Sequence, residues 1–236
     1  MNNRVIILGG GMIGSAISRD LCELGYFVSV IDKNLELSKN FEKYGINYIN
    51  LDFNNKNKLV EIIKDFDIVV GAVPGFMGFE VLKIIIESKK DIVDISFMPE
   101  NSKDYDEIAR LNDVTVITDA GLAPGLSNLF FGQKYNEYDI LDSAKCFVGG
   151  LPQKPKPPWW YKSVFSPIDV IEEYTRPARI KDKGDLIIKP ALTDIESINI
   201  NNIGKLDAFN SDGLRSLLDL NIPNMVEKTL RFPGHI

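Results

Sequence analysis

Short apolar runs alternate with amphipathic stretches from the start of the chain to about residue 118. The runs at 5–8 (VIIL), 27–31 (FVSVI), 47–50 (NYIN), 68–73 (IVVGAV), 92–95 (IVDI) and 114–118 (VTVIT) predict strands. Most are apolar at consecutive positions, the pattern of a strand whose two faces are both covered. Between them, residues 12–24, 35–44, 56–65, 79–88 and 105–111 carry apolar side chains at helical spacing. Strand and helix in steady alternation predict right-handed crossovers and a parallel, doubly wound α/β sheet.

The pattern changes at Asp119. The stretch "DAGLAPGLSNLFFG" (119–132) is rich in Gly and Ala around Pro124, which suits the first turn of a helix. "GGLPQKPKPPWWYK" (149–162) holds Pro152, Pro155, Pro157 and Pro158, so it is neither a helix nor a central strand. Its Trp159-Trp160-Tyr161 cluster calls for burial, as an anchor in a long loop. Ser166 and Pro167 predict the start of a helix that Arg176-Pro177 ends. Strands follow on either side of Lys183-Gly184 and at 195–200, 205–210 and 226–232, with one short helix at 213–218. Strands predominate there and helices are short. The expected organisation is a nucleotide-type domain at 1–125 and a second, smaller α+β domain at 126–236.

Composition narrows the function classes. The chain has 236 residues, 44% hydrophobic and 25% charged, the mix of a globular protein with a sizeable core. A formal net charge of −6 argues against a nucleic-acid partner. No apolar stretch approaches the roughly 18 residues of a membrane span, and no signal peptide precedes the first strand, so a cytoplasmic protein is expected. Cys22 and Cys146 have neither CxxC nor metal-ligand spacing, so they read as reduced thiols, and no metal centre is expected.

"GGGMIG" (9–14) lies between the first strand and the first helix and fits G-x-G-x-x-G at Gly9, Gly11 and Gly14. Gly9 allows the tight turn, Gly11 the close approach of a pyrophosphate and Gly14 the packing of helix on strand, with Met12 and Ile13 opening the helix. The helix N-terminus offers free N–H groups to phosphates. The second strand ends at Asp32, eighteen positions beyond Gly14. A carboxylate there accepts hydrogen bonds from ribose hydroxyls and repels a 2′-phosphate, which favours NAD over NADP. Lys33 beside it could meet a 2′-phosphate. Asp52 after the third strand, and Ala72, Val73 and Pro74 after the fourth, stand where open α/β sheets bind ligands. Each of these also reads as an ordinary loop.

The segments "VDISFMPEN" (93–101), "VITDAGLAPGLSN" (116–128), "GGLPQKPKPPWWYK", "EEYTRPARI" (172–180), "AFNSDGLRSLLD" (208–219) and "PNMVEKTLRFPGH" (223–235) resemble the saccharopine dehydrogenase superfamily. Within it they are most similar to lysine 6-dehydrogenases. The resemblance implies a Rossmann domain, an α+β substrate domain whose sheet often forms a dimer interface, a nicotinamide cofactor and an amino acid oxidised at a C–N bond. Lysine 6-dehydrogenases oxidise the ε-carbon of L-lysine and release ammonia; saccharopine and carboxynorspermidine reductases work on related imines. Chains of the family usually run on past the "PGH" segment. The expectation is therefore a C-terminally truncated substrate domain, completed by a second copy in a homodimer or by a separately encoded C-terminal fragment, or else a non-catalytic dinucleotide-binding remnant.

An amino acid substrate calls for a guanidinium to meet its carboxylate, and Arg176 and Arg231 are the candidates. Asp94, at the end of the fifth strand, is a substrate-binding candidate. Asp119 could hold the substrate ammonium, and Tyr174 and Lys162 could move protons. His235, the chain's one histidine, reads more readily as structural.

Overall fold

The computed structural model describes residues 4–236. The chain divides into two compact units, with the break between Ala120 and Gly121. The turn at 121–125, expected to close the first domain, belongs with the second.

The first unit is one parallel sheet of β1 (Arg4–Leu8), β2 (Phe27–Asp32), β3 (Asn47–Asn50), β4 (Ile68–Gly71), β5 (Asp91–Asp94) and β6 (Val116–Ile117), in the order β3-β2-β1-β4-β5-β6. This is the Rossmann arrangement, in which the strand order reverses between β1 and β4. The helices are α1 (Met12–Glu23), α2 (Ser38–Glu42), α3 (Lys56–Ile63), α4 (Gly75–Glu87) and α5 (Asp106–Asn112). Two apolar cores account for the consecutive apolar runs. Ile6, Leu8, Ile31 and Val69 pack with α3 and α4, while Val5, Ile7, Val28 and Val30 pack with Phe41 and Ile17. Strands β1 to β4 supply both cores because successive side chains point to opposite faces, while β5 and β6 supply the first alone. Helix α4 begins at Gly75, earlier than the apolar spacing indicated, directly after Pro74. The 35–44 helix is a 3₁₀ turn at Leu35–Leu37 followed by the short α2.

The second unit contains α6 (Leu126–Glu137), β7 (Ser143–Val148), α7 (Pro167–Thr175), β8 (Ala178–Asp182), β9 (Asp185–Lys189), β10 (Glu196–Ile200), β11 (Gly204–Asn210) and β12 (Asn224–Arg231). The sheet runs β10-β11-β12-β8-β9, with β7 paired parallel to the other side of β12. The remaining pairings are antiparallel, and β8-β9 and β10-β11 are hairpins. Two features depart from expectation. Helix α6 is as long as α1, not short, and β7 is a strand that the pattern did not single out. Residues of α6 have little apolar periodicity, and its Leu129 and Phe130 are exposed. The aromatic cluster also departs: Trp159 is 71% exposed, so only Trp160 and Tyr161 are partly buried. Ser166 precedes α7 with Pro167 in its first turn, but the serine side chain makes no capping hydrogen bond.

Candidate functional site

The cofactor half of the site is made from backbone. Gly9 has φ +107°, and a Cβ there would lie 2.3 Å from the Ala72 carbonyl oxygen. A Cβ on Gly14 would lie 1.9 Å from the Gly9 carbonyl oxygen. Only glycine permits this closeness of turn, helix and β4. At Gly11 an added Cβ would meet nothing within 4 Å, so this face of the turn is open. No acidic residue stands in the first turn of α1, and no side chain caps it. The free N–H groups and the positive end of the helix dipole thus fit a pyrophosphate.

Asp32 ends β2, and both its carboxylate oxygens are engaged. Oδ2 accepts from the Gly10 N–H at 2.8 Å and Oδ1 from the Asn34 N–H at 2.9 Å. The first of these bonds ties the glycine turn to the position a ribose would take. Asp52 is exposed and caps its own turn through the Asn54 N–H. Ala72 and Pro74 are partly exposed, whereas Val73 points into the core. Met12 and Ile13 are exposed on the first turn of α1.

Asp94 lies elsewhere than expected for a substrate contact. It is fully buried, accepting from the Ser96 N–H at 2.8 Å and the Ser96 hydroxyl at 3.1 Å. Its carboxylate lies over Gly71, where a Cβ would be 1.8 Å from Oδ2. Burial pushes Asp94 up to about 7; the Ser96 bonds oppose the shift and the nearby Asp119 charge adds to it. Asp94 therefore belongs to the floor beneath the strand ends. Asp119, with φ +55°, is also buried and lies close to it.

In the second unit, side chains from distant segments converge. Along β12, Glu227, Thr229 and Arg231 share one face, and all three are buried. Arg231 is 1% exposed, and its three nitrogens donate to Tyr174 Oη (2.8 Å), the Leu230 carbonyl (2.9 Å) and Glu173 Oε2 (2.6 Å). The guanidinium expected to meet a substrate carboxylate is thus committed within the protein. Arg176 ends α7 and reaches back to Glu172 Oε2 at 3.2 Å; burial lowers its pKa, against the opposing pull of Glu172. Lys162 is exposed in the loop before α7.

Tyr174 joins Arg231 to His235, whose Nε2 lies 2.7 Å from the phenol oxygen. The Tyr161 ring lies under the Arg231 guanidinium at 4.5 Å. Residues that the sequence did not single out complete the cluster. Arg179 holds Asp212 through two side-chain bonds of 2.8 and 2.7 Å. Thr229 donates to Ser211 at 2.9 Å, and the Glu227 carboxylate lies so close over Gly213 that a Cβ would be 1.6 Å from it. Their signals were the strings "EEYTRPARI", "AFNSDGLRSLLD" and "PNMVEKTLRFPGH", which carried resemblance but no spacing with a stated chemistry.

Two family models cover nearly all of the chain. "Saccharopine dehydrogenase NADP binding domain" matches residues 5–117, and "Saccharopine dehydrogenase C-terminal domain" matches residues 121–236. The chain belongs to the saccharopine dehydrogenase family. Among curated relatives, it is 26% identical over 196 residues to the mitochondrial alpha-aminoadipic semialdehyde synthase of Rattus norvegicus, covering 78% of this chain and 21% of that protein. It is also 26% identical over 155 residues to the saccharopine dehydrogenase [NADP(+), L-glutamate-forming] of Pyricularia oryzae, covering 63% of this chain and 34% of that protein. The matches thus span about a fifth and a third of those proteins. The solved apo saccharopine dehydrogenase (L-Glu forming) of Saccharomyces cerevisiae has the same fold, with TM-score 0.80 and 21% identity over 99% of this chain and 56% of that one. The first unit thus corresponds to the dinucleotide-binding domain of this family and the second to its C-terminal domain.

Proposed function

We propose that this chain carries the NAD-dependent oxidation of L-lysine at its ε-carbon. The balanced reaction takes the ε-ammonium, NAD⁺ and water to the 6-semialdehyde, an ammonium ion, NADH and a proton. The observation that supports lysine is the charge pairing in the second unit. Arg176, Arg179 and Arg231 each already hold a carboxylate of the protein, namely Glu172, Asp212 and Glu173. Each carboxylate of a substrate must displace a protein carboxylate to reach one of these cations, and lysine, with one carboxylate, needs a single exchange where saccharopine needs several. Arg176, at the end of α7, would meet the substrate α-carboxylate by exchanging Glu172.

Saccharopine is the second reading, favoured by the "L-glutamate-forming" description of the Pyricularia oryzae relative. It carries its nitrogen on the same carbon, so the two reactions differ in the amine released, ammonia or L-glutamate. NADH absorbance with each substrate, combined with assay of the released amine, separates them. NADH formation from saccharopine with none from lysine overturns the lysine reading. Arg176→Ala should weaken the substrate roughly 10- to 150-fold, the loss of a charged hydrogen bond, and leave dinucleotide affinity intact.

The dinucleotide, when bound, supplies the hydride acceptor. Asp32 supports NAD: it is fixed at the end of β2 by the Gly10 N–H, and its charge opposes a 2′-phosphate. The family description and the relative's name carry NADP instead, and Lys33 is the neighbour that would serve it. Calorimetric titration of both cofactors decides. Asp32→Asn keeps an acceptor for Gly10 and removes the charge, so it should narrow the preference for NAD. Tighter NADP binding by the unaltered protein refutes it.

A further inference from the structure

The ε-ammonium of lysine must lose a proton before hydride can leave its carbon, so the proposed reaction needs a base. We propose that Tyr174 is that acid–base group and that His235, positioned by the Trp159 carbonyl, takes the proton that Tyr174 passes on. The inference rests on the lysine reading and deepens it.

The geometry fixes the direction of each bond. His235 Nδ1 lies 2.6 Å from the Trp159 carbonyl oxygen. A carbonyl only accepts, so Nδ1 carries the hydrogen. In the neutral ring, Nε2 is then a bare acceptor. Nε2 lies 2.7 Å from Tyr174 Oη, so the phenol donates its proton to the imidazole. Arg231 Nε–H donates to the same oxygen at 2.8 Å and favours negative charge developing there. Tyr174 Oη uses one lone pair for Arg231 and keeps the other for an incoming N–H. A proton taken from the substrate nitrogen by Oη is matched by the phenol proton moving to His235 Nε2. Tyrosine ends neutral, histidine ends as imidazolium, and no bond to carbon is made or broken in the step.

The remaining contacts hold this line in place. Arg231 is anchored by Glu173 and covered by Tyr161, and the Tyr161 ring lies 5.1 Å from the imidazole. The groups against His235 are Tyr174 of α7, Tyr161 of the proline-rich loop and the Trp159 carbonyl, with the charged pair Arg231 and Glu173 one contact further, behind Tyr174 and Tyr161. Burial raises the Tyr174 phenol above its ordinary range, with Arg231 opposing, so at rest Tyr174 keeps a proton and serves as a conduit. Burial likewise pushes Tyr161 up to about 12, so it stays neutral under the guanidinium.

His235 is the only histidine in the chain, so its two ring nitrogens give unambiguous signals in protein labelled with ¹⁵N-histidine. The expected spectrum of the neutral ring has hydrogen on Nδ1 and a bare Nε2, and Tyr174→Phe should shift the Nε2 signal. Hydrogen on Nε2, or an Nε2 signal that ignores Tyr174→Phe, overturns the proposal whatever the substrate. In the lysine assay, Tyr174→Phe should lower kcat about 100-fold or more, and His235→Gln roughly 10- to 100-fold, with dinucleotide affinity unchanged. His235→Gln should lower kcat with little change in the KM for lysine, a split that a general loss of packing would not produce. Retention of kcat in either variant refutes the relay. If the unaltered protein makes no NADH from lysine or saccharopine, the proposed reaction fails, while the ¹⁵N spectrum still decides the relay geometry.

Discussion

In the dinucleotide cradle the decisive atoms are main-chain atoms within one strand, turn and helix, held by glycines whose added Cβ would strike backbone. In the second unit they are side chains, drawn from the proline-rich loop, α7, β8, the turn after β11, β12 and the chain end. A backbone site needs missing side chains, and these leave a spacing in the sequence. A side-chain network needs partners brought together across tens of residues, and it leaves none. The difference teaches where each unit should be fragile. The cradle should fail by steric intrusion, the network by loss of one partner.

The largest effect should come from the network. Arg231→Met leaves Glu173 buried without its guanidinium and Tyr174 without a donor. Breaking a buried pair by removing one partner costs about 3–5 kcal/mol. Chemical denaturation should show that loss, and the double variant Arg231→Met with Glu173→Leu should recover much of it. Simple additivity of the two changes would mean that the pair is not the organising contact.

The counterpart in the first unit is a carboxylate that resists ionisation. Asp94 is pushed up to about 7, so between about pH 4 and pH 7 the folded chain keeps a proton that the unfolded chain has lost. The pKa is raised on folding. The stability contribution is therefore full below the unfolded value and is lost as pH rises through 7. Asp94→Asn retains an acceptor for the Ser96 N–H and can donate to its hydroxyl. It should match the parent near pH 4 and exceed it increasingly up to pH 7, by at most ~4 kcal/mol at 1.36 kcal/mol per unit. Denaturation curves at pH 4, 5.5 and 8 test this; a gain independent of pH would remove charge burial as the cause.

How much of this was legible follows from the same contrast. All six strands of the first unit, the glycine turn and Asp32 could be read from residues 4–118, because most of the covered strands are apolar at consecutive positions and the turn is local. A helix start near Pro124 could be read too, but not the length of α6, which begins two residues later at Leu126, since Leu129 and Phe130 are exposed and blur its periodicity. Asp94 looked like a ligand contact from its place at a strand end, and only three-dimensional packing on Gly71 shows it as floor. Arg231 looked free because nothing in its neighbourhood announces Glu173 and Tyr174, more than fifty residues earlier. The Trp159-Trp160-Tyr161 cluster predicted burial from composition, yet Trp159 contributes its carbonyl to His235 while its ring stays outside.

Within the cradle, Gly14→Ala should be the more damaging of two alanine substitutions. Its methyl would lie 1.9 Å from the Gly9 carbonyl oxygen, backbone that cannot swing away. Forced repacking of this kind costs about 1–3 kcal/mol. A melting temperature unchanged by Gly14→Ala would mean that α1 can slide on β1 freely.

Gly11→Ala should have the smallest effect on folding and still disable the site. Gly11 has φ −66° and ψ −164°, which alanine adopts without strain, and a Cβ there touches nothing within 4 Å. The change should stay within about 0.5 kcal/mol of the parent, as for an exposed position without special contacts. The open space beside it is where the phosphates approach, so the methyl occupies room the ligand needs. Dinucleotide affinity should fall roughly 10-fold or more, the equivalent of about 1.4 kcal/mol. Thermal denaturation without cofactor and calorimetric titration with it separate the two quantities on one sample. A Gly11→Ala protein that binds the dinucleotide as tightly as the parent would place the pyrophosphate elsewhere. The glycine spacing would then be a feature of the turn alone, and the cradle would have to be sought among the other strand ends, at Asp52 and Ala72.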